Sequence, residues 1–559
     1  MRLAVRLVWP VLLMTACGPA DRGDEWIAFR DGFLESYLER NPTFAVYQGR
    51  HDFDGQLPDW SRGGIEASAA WLRRARAEAE SFAPRTLSES DRLQREHLLA
   101  VIDQDLFWID KAGAPWRNPT WYDLDPNVYL TRAYAPLGNR LEAFNRWASR
   151  VPEAAEHIRA NLATPLPRTF IEIGRIRFGG LARYLEESVP DVFAEVDDTE
   201  AQRELGRAAG EAANALRELD GWLEAQLPEA TSDFALGPEV FQAMLWETER
   251  INVPLAQLEA LGRADLERNR AALAEACAAF APGLGLGECM DRAAAHKPAD
   301  GVVVEARRQL EALEAVLREK DLVTIPGTER ALVQPAPPHR RSNGAYIDIP
   351  GPYERGLPST YYISPPDPSW SEADQAAYVQ SLGDLLFTSV HEVWPGHFLQ
   401  FLHANRAESI VGRVFVGYAY AEGWAHYAEE LMWDAGLGEG NPEMHIGQLE
   451  NALLRNVRLL SAIGLHAGEL TVEESERMFR ELAFQDAGTA RQQAARGTYD
   501  PAYLNYTMGK LMIRRLREDW LARNPEATLR DFHDSFLSFG GPPIPLVRRA
   551  MVGEEGSVF

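Results

Sequence analysis

Apolar residues recur along most of this chain at helical spacing. Trp26, Phe29, Phe33 and Tyr37 share one face of a 3.6-residue repeat, which predicts a helix from about residue 26 that Asn41-Pro42 ends. A loop with Gly49, His51 and Asp54 follows. From there to about residue 235, long Ala/Leu/Glu/Arg-rich stretches are separated by Pro and Gly, and 65–82, 88–108 and 199–227 read as helices. No fixed period recurs, so the array does not read as a solenoid. Leu255–Phe280 and Val302–Lys320 have the same amphipathic pattern, with a loop-like stretch at 282–297.

The character changes at 324–364, which is rich in Pro, Gly and β-branched or aromatic residues. Residues 346–349 and 360–363 are expected to form two short strands flanking a turn. Ser371 to Asp374 then has the form of a capping box, a hydroxyl followed three residues later by an acid. Leu382, Leu386, Val390 and Val393 continue one apolar face, so one helix is expected from Ser371 into His391. The class is mainly α, a large helical fold with a small sheet just before the candidate site. The expected organisation is a helical part over 26–300 and a second part over 301–559, both built around one cleft.

Charge and termini narrow the possibilities. With 83 acidic against 57 basic residues the formal charge is −26, which repels phosphate backbones and disfavours nucleic acid as a partner. The N-terminus carries Arg2 and Arg6, an apolar run over 7–16, and then Met14-Thr15-Ala16-Cys17. That run is too short to span a bilayer as a mature helix. Residues 1–16 therefore read as an export signal resembling those of bacterial lipoproteins, with Cys17 as the lipidated residue and 17–25 as a linker. The localisation expected is the periplasm or cell envelope of a bacterium, with the membrane touched only through that lipid; a plain secretory signal is the alternative. Cys277 and Cys289 could form a small disulfide in an exported protein or remain buried thiols, and neither has zinc-site spacing.

The candidate chemistry begins at His391-Glu392-Val393-Trp394-Pro395-Gly396-His397. Imidazole and carboxylate suit Zn²⁺, and a Glu beside the first ligand can take a proton from water at the metal. The usual spacing places two such histidines four apart on one helix face. Here they are six apart, about 240° of rotation on a regular helix. Pro395 and Gly396 are expected to unwind the helix after Trp394 and let His397 return to the metal. A second stretch, Ala421 to Glu430, puts Glu422, His426 and Glu429 on one helical face. Glu422 is the expected third ligand, with His426 or Glu429 orienting a ligand from behind; His426 as ligand in place of Glu422 is the alternative. Gly423-Trp424 predicts close packing of this helix.

At these residues the chain resembles the bacterial domain of unknown function 885 family. The marks are His391 to His397, then Leu399-Gln400, then Glu422-Gly423-Trp424. Further matches are Gly49 with His51 and Asp54, Tyr361-Tyr362, Arg455 with Arg458, Gly464-Leu465-His466, the run from Tyr506 to Gly509, and Phe532-His533-Asp534. The resemblance implies a largely helical, metallopeptidase-like fold with one zinc ion. Two departures stand out. Phe398 occupies a position where many members carry a second His, and Ser461-Ala462-Ile463 stands where members commonly show an acid.

The function expected is an exported zinc-dependent hydrolase, a metallopeptidase acting on oligopeptides, with Glu392 as general base. Tyr506 or Tyr503 is the candidate donor to the tetrahedral oxyanion. Tyr361 and Tyr362 lie on a strand that could hold a peptide backbone as an added strand. Arg455, Arg458 or His466 could bind a substrate carboxylate. Two readings compete: a zinc amidohydrolase acting on non-peptide amides, and a catalytically silent lipoprotein that binds peptides or a partner.

Overall fold

The computed structural model describes residues 22–337, 340–341, 344–366, 371–553 and 556–559. The expected export signal over 1–16 and Cys17 lie outside the described residues.

The first helix, Gly23–Arg40, turns Trp26, Phe33, Leu34 and Leu38 inward and stops at Asn41, before Pro42 begins the next. It starts inside the expected linker. The pattern-derived helices recur as Arg62–Ser81, Glu89–Leu106 and Thr199–Glu224. Thr199–Glu224 packs its Ala/Leu face on Arg168–Glu187, Leu137–Ala148 and Val151–Asn161, forming a core over residues 38–223.

A second and larger core takes the helices from Phe241 onward. Leu255–Phe280 lies along Pro442–Ala467, so the helices before residue 300 belong with the C-terminal part. The cores thus do not divide at 300: the larger one takes Phe107 and Ala112 together with residues from Phe241 onward, because apolar faces decide the partner. Cys277 and Cys289 are joined in a disulfide inside this core, with 5.8 Å between their Cα atoms. Among the described residues no helix is long and apolar enough to cross a membrane.

The sheet has three strands, β1 (Ala331–Pro335), β2 (Ala345–Asp348) and β3 (Ser359–Ile363), in the order β1-β3-β2. β2 pairs antiparallel with β3, and β1 pairs parallel with β3, with Val333 opposite Tyr361. β3 is therefore the middle strand, both of its edges are used, and a peptide cannot add to it. Tyr361 is fully buried on it, and Tyr362 is buried and stacks on Tyr346 at 5.1 Å. These positions correct the expected substrate-binding role of both tyrosines.

The single helix expected from Ser371 is two. Glu372–Tyr378 ends early, and Leu382–Glu392 starts anew with Ser381 as its cap, accepting from the Asp384 amide. Both starts carry a hydroxyl with an acid three residues on, and the second cap was hidden by the continuous apolar face.

Candidate metal centre

His391 sits in the last turn of Leu382–Glu392. The helix ends at Glu392, two residues earlier than the pattern suggested, and the chain turns through Trp394, a cis Pro395 and Gly396. His397 opens the next helix, His397–Ala404. Gly396 is required here for space: a Cβ at this position would overlap the carbonyl of His391. Trp424 fastens the turn from the neighbouring helix, its indole N–H donating to the Pro395 carbonyl at 2.8 Å.

That neighbouring helix, Tyr418–Asp434, carries Glu422. It crosses Asn505–Arg523 at Gly423 and Gly509, where a Cβ on either glycine would meet the other's backbone. The close crossing brings the Glu422 and Tyr506 helices together.

His391, His397 and Glu422 each point one ligand atom at a common place, all within 4.8 Å of one another. Glu422 Oε2 lies 3.3 Å from His391 Nε2 and 3.2 Å from His397 Nε2. Ligand atoms held ~2.0–2.1 Å from a tetrahedral centre are ~3.3 Å apart, so these two edges fit a Zn²⁺ ion. The oxygen is buried, yet no donor bonds to it among the described residues, as a ligand atom reserved for a cation would require. His426 is not part of this cluster. Its Nδ1 lies 3.4 Å from Glu429 and its Nε2 is buried without a hydrogen-bond partner among the described residues.

Behind the cluster, Glu429 is fully buried. It receives His391 Nδ1 at 2.7 Å and pairs with Arg455 at 3.1 Å. Burial alone would raise the Glu429 pKa, but the Arg455 charge and the two histidines hold it far below the usual carboxylate range. Arg455 is thus committed to Glu429, which corrects its expected role toward substrate. For His391, burial and Arg455 favour the neutral ring, yet the contacts with Glu422 and Glu429 raise its pKa to about 9. Burial also dominates for Glu392, whose pKa is raised. Glu392 is 8 % exposed, and no hydrogen bond or ion pair engages it among the described residues, so its carboxylate is open to a proton.

Tyr506 borders the cluster. Its ring lies 6.2 Å from that of His391 and 6.0 Å from that of Tyr418. Tyr503 does not share this position, because its hydroxyl is buried and donates to Ser461 Oγ at 2.8 Å. Ser461 also bonds Ser475 at 2.6 Å, so a hydroxyl cluster fills the place where family members show an acid. His466 is likewise a core residue. Its Nε2 donates to the Gly497 carbonyl at 2.7 Å and its Nδ1 accepts from the Leu236 amide at 3.3 Å. Neither ring nitrogen is left for a substrate, and Tyr503 and His466 are both removed from the roles their sequence suggested.

No motif or periodicity pointed to Tyr418, Gln493 and Arg496, which surround Tyr506 and Arg458. Arg458 is buried, its guanidinium lies 4.6 Å over the Tyr506 ring, and its Nε donates to Gln493 at 2.8 Å. Arg496 bonds the Tyr418 hydroxyl and pairs with Asp500, both at 2.9 Å. A separate cavity of about 550 Å³, with Trp60, Trp71, Trp108 and Asp105 in its wall, involves no residue of the cluster.

Two solved structures share this fold. One is described as "a putative lipoprotein of unknown function" from Shewanella oneidensis, 22% identical, with a TM-score of 0.75 over 94% of this chain and 99% of that one. The other, "the putative lipoprotein from Colwellia psychrerythraea", is 17% identical, with a TM-score of 0.79 over 95% and 98% of the two chains. No curated protein matches the sequence. The family model for bacterial proteins of unknown function (DUF885) matches residues 42–551, nearly all of the described chain, and the protein belongs to that family.

Proposed function

We propose that the protein is a zinc-dependent hydrolase, a peptidase acting on oligopeptides. The observation that carries this reading is the buried Glu422 oxygen, without a hydrogen bond among the described residues and at zinc-ligand spacing from two imidazole nitrogens, with the Glu392 carboxylate likewise unengaged among them. A divalent ion held there supplies Lewis acidity, polarising a carbonyl and lowering the pKa of water to near 7.

The chain's own groups do the rest. His391 keeps its Nδ1 proton on Glu429, leaving Nε2 as a lone-pair ligand. Glu392 accepts a proton from the attacking water and delivers it to the leaving nitrogen. One C–O bond forms, one C–N bond breaks, and water is consumed. The pKa of Tyr506 is raised, chiefly by burial, so the neutral hydroxyl is kept as a donor to the tetrahedral oxyanion.

Envelope localisation through a lipid on Cys17 belongs to the same proposal. Its support is the N-terminal sequence and the description of the two structural neighbours as lipoproteins.

The test is hydrolysis of a mixed peptide library by zinc-loaded protein. Glu392→Gln should retain zinc and lose about 100-fold or more in turnover. Full activity in that variant would remove Glu392 from the mechanism, and no hydrolysis by the parent would overturn the reading.

A further inference from the structure

Three arginines converge on Tyr506, their guanidinium carbons 4.6 Å (Arg458), 5.7 Å (Arg455) and 6.0 Å (Arg496) from its ring. Two have an acid: Arg455 pairs with Glu429 and Arg496 with Asp500. Arg458 has none. Among the described residues its one polar partner is the neutral amide of Gln493, and no carboxylate lies within ion-pair distance. The chain carries 83 acids, yet among the described residues none pairs with this buried cation.

A buried charge is retained only where something compensates it, because desolvation without a partner is costly. Burial and the Arg496 charge both press against the Arg458 cation, which adds to the case made by its position. Arginine presents a planar fork of donors that matches a carboxylate in two parallel hydrogen bonds. Here Nε is taken by Gln493, which fixes the plane and leaves the two terminal nitrogens.

Position fixes which carboxylate fits. Tyr506 bridges the two sites, its ring 6.2 Å from His391 and under the Arg458 guanidinium. The guanidinium is therefore at most about 11 Å from the His391 ring; its contact with a carboxylate takes up ~4 Å of that, and since an extended residue spans ~3.3–3.6 Å, one residue fits between, two at most.

We infer that Arg458 anchors the C-terminal carboxylate of the substrate, so that the site releases residues from the carboxyl end of peptides or N-acyl amino acids. This rests on the hydrolase reading above and narrows it from oligopeptides in general to chains with a free carboxylate next to the scissile bond. Gln493 acts as the positioning residue, holding the fork through Nε.

The experiment compares benzoyl-glycyl-phenylalanine with its carboxamide, which differ only in the terminal charge. Zinc-loaded protein should cleave the free acid with a kcat/KM about 100-fold above the amide. In Arg458→Met that ratio should fall toward 1, through the acid alone, while Arg458→Lys retains part of it. Equal cleavage of acid and amide by the parent protein would overturn the inference and leave the hydrolase reading standing. A second arm needs no turnover: metal-free protein, titrated calorimetrically with N-acetylphenylalanine and its amide, should bind the acid selectively, and Arg458→Met should abolish that preference. Absence of selectivity in this arm overturns the inference whatever the activity; selective binding without hydrolysis of any peptide overturns the hydrolase reading instead. Should Arg458→Met fail to fold, the acid-to-amide ratios of the parent protein decide both arms.

Discussion

His391 Nδ1 meets Glu429 Oε1 at 2.7 Å, with both side chains buried and Arg455 on the same carboxylate oxygen at 3.1 Å. This contact fixes which nitrogen of His391 faces the cluster, and it makes the Tyr418–Asp434 helix contribute twice, through Glu422 in front and Glu429 behind. Glu429→Gln is expected to lower zinc affinity by about 10- to 100-fold. The same change leaves Arg455 buried without its acid, at a cost of about 3–5 kcal/mol. A chelator competition titration and a urea melt read the two effects separately. Unchanged zinc affinity would show that the contact does not orient His391.

Gly396 tests the turn between the two histidines. Because a Cβ there overlaps the His391 carbonyl, Gly396→Ala must move the chain between Glu392 and His397. Zinc stoichiometry should fall well below that of the parent, and stability should drop by at least about 2 kcal/mol. Full zinc loading in this variant would mean that the turn tolerates a side chain.

The long helices were legible because each buries one apolar stripe, and Leu255–Phe280 and Val302–Lys320 fall where the pattern put them. The convergence of His391, His397 and Glu422 was also legible, because Pro395-Gly396 explains an otherwise wrong spacing. What periodicity could not show was pairing. β1 was missed because Leu332 and Val333 are a short apolar patch whose partner strand lies at 359–363. Tyr503 and Tyr506 were both candidate donors in sequence, yet Ser461 takes the hydroxyl of Tyr503 while Tyr506 faces the cluster. Arg455 and Arg458 likewise part through partners that spacing does not show, Glu429 for the first and Gln493 for the second.

The disulfide closes a short loop, Cys277 and Cys289 being 12 residues apart. Cys277→Ser should cost about 3 kcal/mol through the freed unfolded chain. A urea melt compared with and without reductant checks this, since reduction of the parent should reproduce the variant's midpoint. Coincident curves in all conditions would show that the bond contributes nothing.

His51 lies between two carboxylates, 3.0 Å from Asp54 and 3.0 Å from Glu354, and stacks on Tyr134 at 3.6 Å. Burial alone would lower its pKa, but the two acids raise it from 6.5 to about 9. A raised value means the folded state holds the proton more tightly. The stability it contributes is full below about pH 6.5 and is lost as the pH rises through about 9. The melting temperature should therefore fall across that window, and His51→Gln should flatten the fall. An equally steep fall in the variant would place the titration elsewhere.

Zinc-edge anomalous diffraction from crystals grown with zinc tests the central claim most directly. The account predicts one strong peak, about 2.0–2.2 Å from His391 Nε2, His397 Nε2 and a Glu422 oxygen, with room left for water. No peak among these three side chains at saturating zinc would contradict it.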